Sequence, residues 1–96
     1  MMALGAVGVI SVLGNALPRP LSDLIRLCLK GNFSAALPAH LRLLEITRLI
    51  FAEGNPAGVK AALKQLSICD DTVRLPLVKA SSQLNEQIAV QLKQFQ

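Results

Sequence analysis

Apolar residues recur with helical spacing along most of the chain, after an opening segment that follows a different pattern. In the stretch "PRPLSDLIRLCLKGN" the apolar positions follow an i, i+3, i+4, i+7 spacing, at Leu21, Leu24, Ile25 and Cys28. Pro20 near the front and Gly31 just past the end are typical helix start and stop residues. The pattern predicts a first helix over residues 20–30.

A second, longer helix is predicted over residues 33–53. Asn32 or Ser34 can cap its start, and Pro38 is expected to distort the first turn. Its apolar positions cover more than one stripe, at Leu37, Leu41, Leu43, Leu44, Ile46 and Ile50. A helix with one solvent-exposed face does not need an apolar surface this wide, so we expect this helix to pack against neighbours on two sides.

Two further helices are predicted over residues 56–66 and 82–95. In the first, Asn55 is the expected cap, Pro56 takes the first helical position, and the buried stripe is Val59, Ala62, Leu63 and Leu66. Pro76 then marks an extended connection. Ser81 or Ser82 can cap the last helix, whose inward residues are Leu84, Ile88, Leu92 and Phe95.

The opening stretch "GAVGVISVLGN" is apolar, uncharged and rich in β-branched residues bounded by glycines. This pattern predicts a short strand near residues 8–13, buried on both faces. A single strand cannot satisfy its own backbone hydrogen bonds, and the chain offers no second strand of this kind. The sequence therefore predicts a mainly α fold of about four helices plus the last strand of a sheet whose other strands are absent.

Composition narrows the class of protein. Of the 96 residues, 52% are apolar and only 17% charged, whereas about a quarter are charged in ordinary globular domains. Either a membrane or a missing larger part of the protein is expected to cover this surface. The uncharged segment 1–17 is too short and too interrupted to span a membrane, and Arg19 follows it instead of preceding it as in a secretory signal.

Charge and cysteine content argue against a nucleic-acid-binding protein and against a metal or redox site built from cysteines. The net charge is +4, but the basic residues are scattered, and three Phe without Tyr or Trp offer little to stack on bases, so no nucleic-acid partner is expected. Cys28 and Cys69 have neither metal-ligand nor redox spacing. They are expected to be small buried hydrophobic residues in a reducing compartment, which favours the cytoplasm.

Few residues suggest chemistry of their own. The glycines do not have phosphate-loop spacing, His40 has no ligand partners at metal spacing, and the adjacent Asp70 and Asp71 are interpreted as loop residues. We therefore expect no metal and no cofactor. Lys60 leaves two alternatives open: a desolvated amine that attacks a carbonyl, or a structural lysine whose stem lies along apolar surface.

Several motifs together resemble one family. "GVISV", then "GNF..A", "F.EGNPAGVKAAL" and "RLPLV" are similar, in this order and spacing, to the C-terminal third of the dihydrodipicolinate synthase family. The resemblance implies a (β/α)₈ barrel followed by a helical domain. Residues 1–31 would be the last barrel strand and helix, and residues 32–96 the C-terminal helical domain. The motif residues are Gly8, Asn55, Pro56, Lys60, Arg74 and Pro76.

The family condenses pyruvate with aspartate semialdehyde, through a Schiff base on a lysine, in the lysine and diaminopimelate pathway. The resemblance places Ile10 on barrel strand eight, where it would line the pyruvate pocket through packing and main-chain polarity, without transferring a proton. It also implies that the Schiff-base lysine lies upstream on strand six and that tyrosines relay protons. This chain has no tyrosine, so a truncated synthase that is inactive alone is expected, and no residue of the chain is assigned a catalytic role.

Two other functions remain open at this point. One is a non-catalytic helical module for oligomerisation or interaction, and the other is a small protein on a membrane surface. Whichever holds, an ordered apolar segment 1–17 must be covered, and we expect self-association through it.

Overall fold

The computed structural model describes residues 1–96 and is mainly helical, as the sequence predicts. Its five α-helices are α1 (Leu13–Ala16), α2 (Pro18–Leu29), α3 (Phe33–Ala52), α4 (Ala57–Gln65) and α5 (Ser82–Leu92). Short 3₁₀ turns lie at Met2–Leu4 and Lys93–Phe95. The four long helices begin and end within a few residues of the predicted bounds.

Helix α3 is the centre of the fold. It packs against α2, α4 and α5, and its residues Ile46, Leu49 and Ile50 are buried together with Ile88 of α5. The expected packing on several sides is thus present. The second apolar stripe is different, because Leu37, Leu41 and Leu44 remain about half exposed.

Two of the three predicted N-cap residues, Asn32 and Ser81, cap their helices in the structure. The Asn32 Oδ1 accepts a hydrogen bond from the Ala35 amide, and the Ser81 Oγ accepts one from the Leu84 amide, both at 3.2 Å. The prediction that Asn55 caps α4 is wrong. Pro56 is itself the residue before the first helical turn, so Asn55 lies one residue too early to reach the free amides of that turn. Pro38 lies inside α3, and the helix continues through it.

The predicted strand near residues 8–13 is not formed. Residues 6–11 have no regular secondary structure, and no backbone amide or carbonyl from Val7 to Ile10 makes a hydrogen bond within the chain. The physical reason is the one that the sequence suggests: no second strand is present to pair with the segment. The short helix α1 follows instead, with Leu13 and Ala16 buried, and it packs against α2 and α4.

The last residues fold back on α3. The Arg42 guanidinium donates a hydrogen bond of 2.6 Å to the Gln94 carbonyl and lies 5.1 Å from the ring centroid of Phe95. This distance is within the range of a cation–π contact. None of the helices is both long and apolar enough to cross a bilayer.

Candidate functional site

The sequence motifs of the second half of the chain meet where a loop lies against α4. The Lys60 Nζ donates a hydrogen bond to the main-chain carbonyl of Thr72. One helical turn later, the Lys64 Nζ lies 2.9 Å from the Asp71 Oδ1, and the Lys79 Nζ approaches the same oxygen at 2.8 Å. We call these five residues the lysine clasp. It ties the start of the loop 70–79 to one face of α4, and Lys79 joins the end of the loop to that start.

The charges of the lysine clasp support each other. Hydrogen bonds from Lys79 and Lys64 lower the pKa of the Asp71 carboxyl below its usual value, although partial burial opposes this. The hydrogen bond to Asp71 raises the pKa of Lys64 in turn. The Asp71 side chain is only 10% exposed, whereas both lysine side chains are about half exposed. The carboxylate is thus the buried centre of the clasp.

Asp70 has a separate role from its neighbour. Its carboxylate accepts a hydrogen bond from the Thr72 hydroxyl, and this bond is the main cause of a lowered pKa. The lowered pKa values favour the charged form of both carboxyls. This agrees with their interpretation as loop residues.

The lysine clasp lies between two sequence motifs, the "NP" pair at the start of α4 and the "RLPLV" segment in the loop. The Pro56 carbonyl accepts the Lys60 amide hydrogen bond at 3.0 Å and so joins the "NP" pair to the first turn of α4. In the loop, the Arg74 carbonyl accepts a hydrogen bond from the Leu77 amide at 3.0 Å, which closes a turn around Pro76. The lysine clasp thus connects the helix that follows the "NP" pair to the loop that contains Arg74 and Pro76.

Of the two alternatives for Lys60, the geometry fits the structural one. Its ammonium group is hydrogen bonded to a main-chain carbonyl instead of lying free in an apolar pocket. Sequence reasoning did not identify Lys64, Lys79 or Asp71 as its companions. The spacing of Lys60 and Lys64 at i, i+4 was the available signal, since such residues share a helix face.

Gly8 and Ile10 are in a different environment. The Ile10 side chain is fully exposed, and a Cβ on Gly8 would contact nothing within 4 Å. No hydrogen bond holds either residue. The role of Ile10 in a pyruvate pocket stays a prediction.

An apolar cavity of about 460 Å³ lies between the opening segment, α2 and α3. Its lining includes Met2, Val9, Leu24, Cys28, Leu37 and His40. His40, the only histidine of the chain, lies at the rim of this cavity and is exposed. No group of three histidine, cysteine or carboxylate side chains is close enough to hold a metal ion.

Comparisons with known proteins match this chain to one family. The model of the dihydrodipicolinate synthetase family matches residues 1–95. Among curated relatives, the 4-hydroxy-tetrahydrodipicolinate synthase of Sorangium cellulosum is 49% identical over 96 residues, which are all of this chain and 32% of the relative. That of Phocaeicola vulgatus is 51% identical over 78 residues, 81% of this chain and 26% of the relative.

Solved structures agree with the sequence relatives. The dihydrodipicolinate synthase of Aquifex aeolicus matches 98% of this chain with a TM-score of 0.91 at 40% identity, and that of Thermotoga maritima matches 97% with a TM-score of 0.93 at 34% identity. In both cases the match covers 32% of the known structure. The 96 residues thus span about a third of the length of these relatives.

Proposed function

Because this chain belongs to the dihydrodipicolinate synthetase family, we propose that it supplies the C-terminal third of a synthase of this kind. In this proposal the segment near residues 8–13 is the last barrel strand, α2 is the last barrel helix, and α3 to α5 form the helical domain that follows. The observation that carries the proposal is the opening segment. From Val7 to Ile10 every backbone donor and acceptor is free within the chain, as expected for a strand whose neighbours belong to the rest of a barrel.

The reaction proposed for the complete enzyme is the condensation of pyruvate with aspartate semialdehyde. A lysine amine attacks the pyruvate carbonyl and forms a Schiff base with loss of water, and the enamine then adds to the aldehyde. The family resemblance assigns that lysine to barrel strand six, outside these 96 residues. The same resemblance assigns proton transfer to tyrosines, and none is present here.

The contribution of these residues is therefore positioning. Active sites of such barrels lie at the carboxyl ends of the strands. The family resemblance assigns Ile10, on the proposed strand eight, to packing against bound pyruvate. The lysine clasp would hold the helical domain as one rigid piece behind that strand, because it binds the loop 70–79 to α4, and α4 packs against α1 directly after the strand. By this proposal the chain alone does not catalyse condensation.

A reducing, cytoplasmic setting is part of the proposal. Cys28 and Cys69 are both free thiols, but the expectation that they are buried is wrong, because Cys28 is partly exposed and Cys69 is exposed. Free, exposed thiols are compatible with compartments that keep cysteine reduced.

Borohydride trapping tests the covalent part of the proposal. The 96-residue chain is incubated with pyruvate and sodium borohydride, and its intact mass is measured. We expect no adduct, whereas a stoichiometric reduced pyruvate adduct would contradict the proposal, and Lys60→Arg would then test whether Lys60 carries it.

Mixing the chain with the barrel part of a relative tests the proposed structural role. The first two thirds of the Sorangium cellulosum relative, ending where the match begins, are combined with this chain and assayed for condensation. Activity that requires both pieces would support the proposal. A stable complex between this chain and the intact relative, without any contribution to activity, would instead favour a non-catalytic interaction module.

A further inference from the structure

Three hydrogen bonds close the turn between the opening segment and α1. The Val12 carbonyl accepts two of them, both at 3.1 Å, from the backbone amide of Asn15 and from its side-chain Nδ2. The Ser11 carbonyl accepts the third, from the Gly14 amide at 3.2 Å. Asn15 thus holds one carbonyl with its main chain and its side chain together.

These bonds determine where an extended strand has to end. Val12 already has helical backbone angles, with φ −60° and ψ −41°. Its carbonyl has two lone pairs, and the two donors of Asn15 occupy both of them, so this carbonyl is not available to a neighbouring strand. Ile10 is the last residue before the turn whose backbone amide and carbonyl are both unbonded within the chain. The pairing part of the proposed strand eight therefore ends at Ile10.

The turn is also anchored to the core on its α1 side. Leu13 and Ala16 are buried, and a Cβ built on Gly14 would lie 3.3 Å from the Cδ2 of Leu21 in α2. The Asn15 side chain takes no part in this packing, because it is exposed. Packing thus fixes α1 in place, and the Asn15 side chain fixes how the preceding residues enter it.

From these contacts we propose that Asn15 is a positioning residue for the condensation reaction. This inference rests on the proposed function, in which Ile10 lines the pyruvate pocket. The Asn15 side-chain amide holds the Val12 carbonyl in the turn, which sets the end of strand eight and with it the place of the Ile10 side chain against pyruvate. Asn15 itself contacts no substrate and transfers no proton in this role.

Steady-state kinetics test the role in a chimera in which this chain replaces the matched third of the Sorangium cellulosum relative. Asn15→Leu keeps a similarly branched side chain but has no donor. We expect the KM for pyruvate to rise about two- to tenfold, the range that corresponds to one ordinary hydrogen bond. The kcat and the KM for aspartate semialdehyde should not change. A variant that only folded less well would instead lower the apparent kcat and leave both KM values as they were.

Two further variants test the proposed route through Ile10. Asn15→Thr restores a donor, since a threonine hydroxyl in a helix can bond a carbonyl three or four residues earlier, as the Thr47 hydroxyl does to the Leu43 carbonyl at 2.7 Å. Its KM for pyruvate should return towards the parent value. In an Ile10→Ala background, Asn15→Leu should raise this KM little further, because residues that act through one another are not additive.

Asn85→Leu in α5 is the matched control. The Asn85 Nδ2 donates to the carbonyls of Ala80 and Ser81 at 3.1 and 3.0 Å, so this variant loses the same kind of bond and should keep the parent KM for pyruvate. The positioning role would be overturned, with the proposed function intact, by an active chimera in which Asn15→Leu leaves this KM unchanged. Equal effects of Asn85→Leu, or additivity with Ile10→Ala, would overturn it as well. An inactive parent chimera would contradict the proposed function, and the role of Asn15 with it.

Discussion

Gly58 lies directly against the backbone of Ile50 where α4 crosses α3. A Cβ built on Gly58 would lie 2.1 Å from the Ile50 carbonyl oxygen and 2.8 Å from its Cα. Ile50 is itself fully buried in the core. The two helices can pack this closely only because residue 58 has no side chain.

Gly58→Ala is therefore expected to destabilise the fold. Alanine favours a helix over glycine by about 1 kcal/mol, but here the added methyl must push α4 away from α3, and overpacking of this kind costs roughly 1–3 kcal/mol. Urea unfolding measures the difference. Gly8→Ala is the control, since a Cβ there meets nothing within 4 Å; equal stability of both variants and the parent would contradict the close crossing.

Asp71→Asn should lower the melting temperature at neutral pH by removing the charged centre of the lysine clasp. The pKa of Asp71 is lowered on folding, chiefly by hydrogen bonds from Lys79 and Lys64. A lowered folded-state pKa means that this stabilisation is complete above the ordinary value of 3.8 and is lost as the pH falls through the lowered pKa.

The difference in melting temperature between parent and Asp71→Asn should thus be largest near about pH 7 and shrink below about pH 4. Asp23→Asn is a suitable control because the Asp23–Arg26 pair is well exposed on both sides, and exposed pairs contribute little. A difference that grows as the pH falls would contradict the role assigned to Asp71.

Ser81→Ala should destabilise the protein by about 0.5–2 kcal/mol, as expected for loss of a helix cap. The Ser81 Oγ accepts the Leu84 amide hydrogen bond at 3.2 Å and lies 2.5 Å from the Glu53 carboxylate, which also accepts the Ser81 amide at 2.8 Å. Chemical denaturation compares this variant with Ser82→Ala, which removes a hydroxyl without a cap bond. If the Ser82 variant proved the more damaging, the assignment of the cap would be wrong.

The four long helices could be predicted because their signals are local. The apolar spacing runs along each helix. The caps at Asn32 and Ser81 and the prolines and glycines that start or stop helices lie within a few residues of the helix ends. Helix α1 gave no such signal. Gly14 and Asn15 are poor helix formers, and this single turn exists because Leu13 and Ala16 are buried against α2 and α4.

The unformed strand and the lysine clasp both depend on contacts between residues that are far apart in the sequence or absent from it. The residues near 8–13 have the composition of a strand, but a strand requires a partner that this chain does not contain, and the backbone stays unpaired. In the clasp, Asp71 is bonded by lysines seven and eight residues away on opposite sides. Their meeting depends on how the loop folds back onto α4, which spacing along the sequence does not specify.

Grafting tests the central claim, that these residues form the C-terminal third of a synthase, most directly. The matched third of the Sorangium cellulosum relative is replaced with this chain, with which it shares 49% identity over all 96 residues, and condensation of pyruvate with aspartate semialdehyde is measured. We expect a folded, active chimera in which Ile10→Asp raises the KM for pyruvate, while the control Val78→Asp does not. A chimera that folds with the circular dichroism spectrum of the parent synthase but has no activity would contradict the claim.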